Sequence, residues 1–155
     1  MKQAEELRYL VLAIQREGNR LLAADLRPLG ITPSQAEVLR VLRDHGPLTL
    51  SALGGLLVCE TGSSPSRLVD RLVAQGLVRR EIDEHDRRYL ALSLTPRGRQ
   101  LCRRIVTAED RLHRHLSALV ADQHLDETIS TLRAVAEAFP AGEALARRRD
   151  TVKEK

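Results

Sequence analysis

Apolar residues recur at Leu7, Leu10, Val11, Ile14, Leu21 and Leu22, a helical stripe that predicts one amphipathic helix from Ala4 to Leu26, interrupted only at Gly18. Pro28 and Gly30 break it. Thr32, Pro33 and Gln35 then form an N-cap, a first-turn proline and a capping-box glutamine. They open a second helix whose buried side is Val38, Leu39, Val41 and Leu42, and His45, Gly46 and Pro47 end it, with Gly46 expected in the left-handed region. Leu48 to Leu50 reads as a short strand. Thr49 or Ser51 caps a short third helix through Leu53, Leu56 and Leu57, although Gly54 and Gly55 each cost about 1 kcal/mol of propensity there.

A Ser63/Ser64 cap with Pro65 starts a fourth helix that stops at Gly76. At 100° per residue, Pro65, Leu68, Val69, Leu72 and Val73 share one side, and Ser63, Ser64, Ser66, Arg67, Asp70 and Arg71 share the other. Leu77 to Ile82 and Tyr89 to Leu94 flank the polar turn Asp83 to Arg88, and Leu90, Leu92 and Leu94 alternate as a half-buried strand should, which predicts a hairpin. Thr95 and Pro96 cap a long helix carrying Leu101, Ile105, Leu112, Leu116 and Leu119 to about Ala121. Asp126 opens a last helix with Ile129, Leu132, Val135, Ala136 and Phe139, closed by Pro140 and Gly142, and the tail from Arg147 is expected to fray. The pattern is mainly α, with about six helices and one small β-hairpin.

Composition narrows the choice of function. At 155 residues, 43% hydrophobic and 30% charged, the chain reads as a single domain, 1–155. No apolar run approaches the roughly 18 residues of a membrane span, so no membrane partner is expected. Met1 to Leu7 carries charges and no apolar signal core, which points to a cytoplasmic location. The aromatic residues are Tyr9, Tyr89 and Phe139, too few for the stacking platforms that single-stranded nucleic acid uses. Cys59 and Cys102 make no disulfide framework; they are either redox sensors or, the favoured reading, small buried residues. Glu109 and His113 share a helix face that His115 does not, which favours surface pairing over a metal site. Without a nucleophile elbow, a zinc-hydrolase helix or a phosphate loop, no enzyme and no cofactor is expected.

The net charge of +4 is concentrated. Residues 62–104 hold ten arginines against five acids, a local net of +5 that leaves −1 for the rest, and all three lysines (Lys2, Lys153, Lys155) are near the termini. Arginine in place of lysine can reflect codon bias; its clustering points to an anionic partner. Two short helices, the second with a Ser/Arg outer face, followed at once by a charged hairpin, are the parts of a winged helix-turn-helix. The fourth helix would lie in a major groove, with Ser63, Ser64 and Ser66 near phosphates or base edges and Arg67 and Arg71 able to donate bidentately. Arg87 or Arg88 at the hairpin tip would enter the adjacent minor groove. Asp86, repelled by phosphate, would hold an arginine or the turn's amides in place.

The stretch Ile31 to Gly98, with SRLVDRLVAQGLVRR at 66–80 and DEHDRRYLALSLTPRG at 83–98, resembles the MarR family of transcriptional regulators. The Asp-Arg-Arg wing, the alternating leucines and the following Leu-Thr and Gly are its most specific elements. The resemblance implies a winged lobe at 31–95 and a helical dimerisation region at 1–30 and 96–145. It implies a homodimer in which the first, fifth and sixth helices intertwine while two lobes read a pseudo-palindrome on double-stranded DNA. Asp86 and Arg88 match the family's wing Asp-x-Arg, the aspartate bracing the arginine, and Ser63, Ser64, Ser66, Arg67 and Arg71 match recognition-helix positions. Pro65 departs from the β-branched residue common there. The implied activity is that of a repressor modulated by an oxidant or a small anionic or phenolic ligand between the dimer helices and the lobe, with Arg16 and Arg20 as candidate contacts. The rival reading is a winged-helix protein-interaction module without DNA readout.

Overall fold

The computed structural model describes residues 1–59, 64–82, 90–121 and 123–153. Helix α1 (Gln3–Leu26) runs into a 3-10 turn (Arg27–Leu29), followed by α2 (Pro33–His45), strand β1 (Leu48–Thr49), α3 (Leu50–Gly54) and α4 (Pro65–Ala74). Strands β2 (Val78–Ile82) and β3 (Leu90–Leu94) lead to the long α5 (Pro96–Leu119), then α6 (Leu125–Ala136) and α7 (Pro140–Lys153). The three strands form one antiparallel sheet in the order β1-β3-β2, with Leu48 opposite Leu92 and Val78 opposite Leu94.

The predicted caps form. Thr32 Oγ1 accepts from the Gln35 amide at 3.3 Å while the Thr32 amide donates to Gln35 Oε1 at 2.9 Å, so two first-turn donors of α2 are satisfied reciprocally. Thr49, rather than Ser51, caps α3 through the Ala52 amide. Gly30 and Gly76 adopt φ of 72° and 68°, where a side chain would be strained. Gly46 does not: its φ is −72°, and what it requires is room, because a Cβ would collide with the Leu42 carbonyl that its own amide contacts.

The core lies in the middle of the chain. Helix α2 is its centre, with Val38 and Leu39 fully buried, and it packs against α1, α3, α4, α5 and β3. Leu26, Leu53, Val69, Leu72, Leu92 and Ile105 close around it. The strand alternation holds for Leu92 and Leu94 but not for Leu90, which is exposed because β3 projects past the core at that end.

Two expectations at the C-terminus are corrected. Residues 147–153 are helical, and Pro140 and Gly142 do not merely close α6: Pro140 begins α7, where a first-turn proline lacks only an amide that has no helical partner. Gly142 lets α7 turn tightly off α6, since a Cβ would strike the Ala136 carbonyl. Among the described residues the helices therefore number seven rather than six.

Large apolar side chains remain exposed on α1, at the end of α5 and around α6. Leu10, Val11 and Ile14 of α1, Leu119 of α5 and Ile129, Val135 and Phe139 around α6 are all exposed. The chain exposes 10945 Å², against about 7,800 Å² for a compact monomer of its 17.3 kDa.

Leu39→Ala should lower the unfolding free energy by about 2–5 kcal/mol, because it opens a cavity at the centre of α2's packing. Urea denaturation of the two proteins measures the difference.

Candidate nucleic-acid interface

Helix α4 is divided by burial as its sequence predicts. Leu68, Val69 and Leu72 are buried, whereas Ser64, Arg67, Asp70 and Arg71 are exposed and Ser66 is half-buried. Ser64 occupies the N-cap but its side chain caps nothing; its Oγ lies 3.1 Å from Ser66 Oγ. Among the described residues no side chain caps the first-turn amides of α4, and such amides can meet an anion.

The arginines around α4 divide into two sets. Arg80 of β2 donates through Nη2 to Oδ1 of Asp70, which is the one acidic residue in α4. Arg79 donates through Nε to Ser93 Oγ at 2.9 Å and pairs with Glu81 at 3.3 Å, locking β2 to β3. Arg67 and Arg71, on the same outer side as Asp70, form no ion pair with a described residue. The wing strand thus neutralises the carboxylate that would otherwise repel a polyanion, and two guanidiniums beside it are in no ion pair with a described residue. Ser63 and the tip residues Asp86, Arg87 and Arg88 lie outside the described residues.

Several contacts escape a sequence reading. Glu37, 9% exposed, accepts the Val58 and Cys59 amides, both at 2.9 Å, and Arg148 of α7 reaches its Oε1 at 2.9 Å. Arg147 Nε donates to the Gly55 carbonyl at 3.0 Å. The C-terminal helix is therefore fastened to the segment that leads from α3 toward α4. The one signal in the sequence is an acid inside the otherwise buried run from Gln35 to Leu39, since a buried carboxylate needs partners.

A cavity of about 380 Å³ opens between α1, α2, α5 and α7, with Leu22 and Val41 on its apolar side and Glu37, Arg40, Glu109 and Arg148 on its charged side. Arg40 pairs with Glu109 at 3.2 Å. Burial raises the Glu109 pKa, and Arg40 opposes that shift. Neither Arg16 nor Arg20 lines this cavity: Arg16 borders a shallow groove along α1 with Tyr9 and Leu12, and Arg20 Nε donates to Glu17 at 2.7 Å.

Both thiols are held protonated. Desolvation first, and the Glu37 carboxylate next, push Cys59 up to about 11 even though the residue as a whole is at the surface. Cys102 is buried, donates to the Leu39 carbonyl at 3.4 Å, and is raised by burial. The reading of a small buried residue holds for Cys102 and is corrected for Cys59, which is exposed; a raised pKa still disfavours a redox role for either, because the thiolate is the reactive form.

Residues 29–88 match the model of the MarR family. The chain is 33% identical over 93 residues to the multiple antibiotic resistance protein MarR of Salmonella typhimurium, a match spanning 60% of this chain and 64% of that protein. It is 32% identical over 117 residues to the MarR protein of Escherichia coli, covering 74% of this chain and 80% of that one. A solved mutant MarR from E. coli, complexed with operator DNA, superposes with a TM-score of 0.70 at 28% identity, covering 87% of this chain and 94% of that chain.

Alkylation of Cys59 by iodoacetamide should keep accelerating as pH rises through 10, because its thiolate fraction is small until the pH nears about 11. An ordinary thiol would level off soon after about pH 8.5. Peptide mass spectrometry across pH 7–10.5 distinguishes the two.

Proposed function

The chain belongs to the MarR family, and we propose that it works as a homodimeric, sequence-specific binder of double-stranded DNA, a cytoplasmic transcriptional repressor reading a pseudo-palindromic operator. One observation carries this reading: on the outer side of α4 the sole carboxylate, Asp70, is taken up by Arg80, while Arg67 and Arg71 have no ion-pair partner among the described residues. A helix that presents hydroxyls, uncapped amides and two such guanidiniums fits a major groove, where arginine donates bidentately to guanine and the amides face phosphate. Ser63 belongs to the same reading head. Arg87 and Arg88 take the adjacent minor groove with Asp86 as the brace, a role that rests on the family resemblance of the wing.

The dimerisation region, residues 1–30 and 96–145, supplies the two-fold axis. Leu10, Val11, Ile14, Leu119 and Ile129 are large apolar side chains left exposed by one copy, and an isologous partner is the commonest way to cover such a face. Two lobes related by that axis read half-sites about 10 base pairs apart, centre to centre. The cavity between α1, α2, α5 and α7 is the candidate for a small anionic or phenolic effector, with Arg40 and Arg148 as its cationic groups. Any effector that fits one lobe spacing better than another changes DNA affinity by linkage. The protonated thiols favour a ligand over an oxidant.

Fluorescence anisotropy on duplexes tiled across the gene's upstream region should reveal competitor-resistant binding that weakens steeply with salt, since each neutralised phosphate releases counterions. Arg71→Ala should weaken or relax half-site reading by about 1–3 kcal/mol, and Arg88→Ala should cost most at A·T-rich wing positions. Salt-insensitive behaviour with no duplex preferred, including after selection from random duplexes, would favour the protein-interaction module.

Sedimentation should give a dimer for the wild-type chain and a monomer for Leu10→Glu/Ile14→Glu. Buried carboxylates one turn apart would oppose the association of the α1 stripe.

A further inference from the structure

Past α3 the chain has neither helix nor strand to hold it. The Gly55, Leu56 and Leu57 amides donate to the turn carbonyls of Ser51, Leu53 and Gly54. The next two amides, of Val58 and Cys59, donate instead to the Glu37 carboxylate, one to each oxygen. Glu37 stands on α2 beside Ala36, Val38 and Leu39, which are all but fully buried. The place of residues 55–59 relative to the core is therefore set through one side chain on a rigid helix.

A carboxylate so deeply buried keeps its charge only against a counter-charge. That counter-charge comes from the far end of the chain. Arg148 of α7 reaches Glu37 Oε1 at 2.9 Å, whereas Arg40, one turn along α2, is engaged by Glu109 at 3.2 Å. Arg147 donates through Nε to the Gly55 carbonyl at 3.0 Å and is steadied by Glu143 at 3.6 Å. Ala144, one turn earlier on that side of α7, is buried. Two adjacent arginines thus grip one segment at two points, the Gly55 carbonyl directly and the Val58 and Cys59 amides through Glu37. This segment also abuts the reading helix: α3 packs on α4, and a Cβ at Gly54 would lie 3.8 Å from Cγ of Pro65, the first residue of α4.

We propose that α7 is a strap that fixes the start of α4, with Arg148 and Glu37 as positioning residues for duplex binding that do not themselves touch DNA. The consequence for DNA rests on the function proposed above. Without Arg148 the carboxylate loses its counter-charge, its hold on both amides weakens, and residues 55–59 open locally while the core around α2 stays closed. The reading helix then spends part of its time in orientations that do not dock, and duplex affinity falls by that fraction.

Hydrogen exchange of the full-length protein without DNA, resolved to single amides, reads the strap directly. In Arg148→Gln the Val58 and Cys59 amides should exchange about tenfold faster, and those of Leu39 and Val41 at the wild-type rate. Arg148→Lys, which restores the positive charge, should recover most of the protection. Arg149→Gln, one residue along and in no ion pair with Glu37, should leave it intact. No acceleration at Val58 and Cys59, an equal acceleration at Leu39 and Val41, or the same effect from Arg149→Gln would overturn the strap. Anisotropy on the tiled duplexes reads the consequence. Arg148→Gln should weaken binding about fivefold with the wild-type salt dependence, because loss of a phosphate contact would instead lower the salt slope by about one. A lowered slope, or wild-type affinity despite fast exchange, would overturn the positioning role. A wild-type protein whose amides respond to Arg148→Gln but which binds no duplex would sink the DNA reading and leave the strap standing.

Discussion

One threonine hydroxyl joins the three elements on which the orientation of α4 depends. Thr95 Oγ1 donates to the Gly76 carbonyl at 2.7 Å, approaches the Leu77 carbonyl at 3.3 Å, and accepts the Gly98 amide at 3.0 Å. The Thr95 amide adds a bond to the Leu77 carbonyl at 3.1 Å. The residues just past α4, the start of β2 and the first turn of α5 are thus held in one short network. Gly98 permits it, because a Cβ there would strike the Leu77 carbonyl. A hydroxyl is both donor and acceptor, so one side chain can cap a helix and still hold the carbonyls of the preceding turn.

From that junction α4 points outward with its apolar side sealed into the core, and α5 carries the chain away toward apolar side chains that a single copy leaves exposed. The two halves have different physical needs. The middle of the chain buries its own core around α2, whereas α1, the far end of α5 and α6 present leucine, isoleucine and valine to solvent. Association of two copies would cover that face and, under the proposed function, would supply a second, symmetry-related reading helix.

Charge is arranged by pairing as much as by composition. The arginine cluster at 62–104 reads as a uniform basic patch in one dimension, yet among the described residues the fold divides it into braces and groups outside any ion pair. Arg79, Arg80 and Arg99 hold strands and helix ends in place, while Arg67, Arg71, Arg97 and Arg104 have no ion-pair partner among the described residues. The C-terminal helix belongs to the same logic: Arg148 meets a buried Glu37 whose remaining capacity is used by the Val58 and Cys59 amides, so a segment expected to fray becomes part of the lobe.

What could be read from residues alone was what depends on near neighbours. The capping box at Thr32, the Thr95 cap, the glycine stop after α4, the hairpin and the split between Leu68/Val69/Leu72 and Ser66/Arg67/Arg71 are all set by contacts within a few residues, and periodicity reports them directly. The errors share the opposite cause. Leu90 is exposed because the core ends before it, and Pro140 starts a helix because α7 has Glu37 and the α3 end to dock on. Which arginines are spent on braces and what Glu37 holds are likewise decided by residues far apart in sequence. Local order follows from backbone and side-chain preferences that a short window contains; the pairing of charges and the walls of cavities exist only once distant segments meet, so only the tertiary structure could decide them.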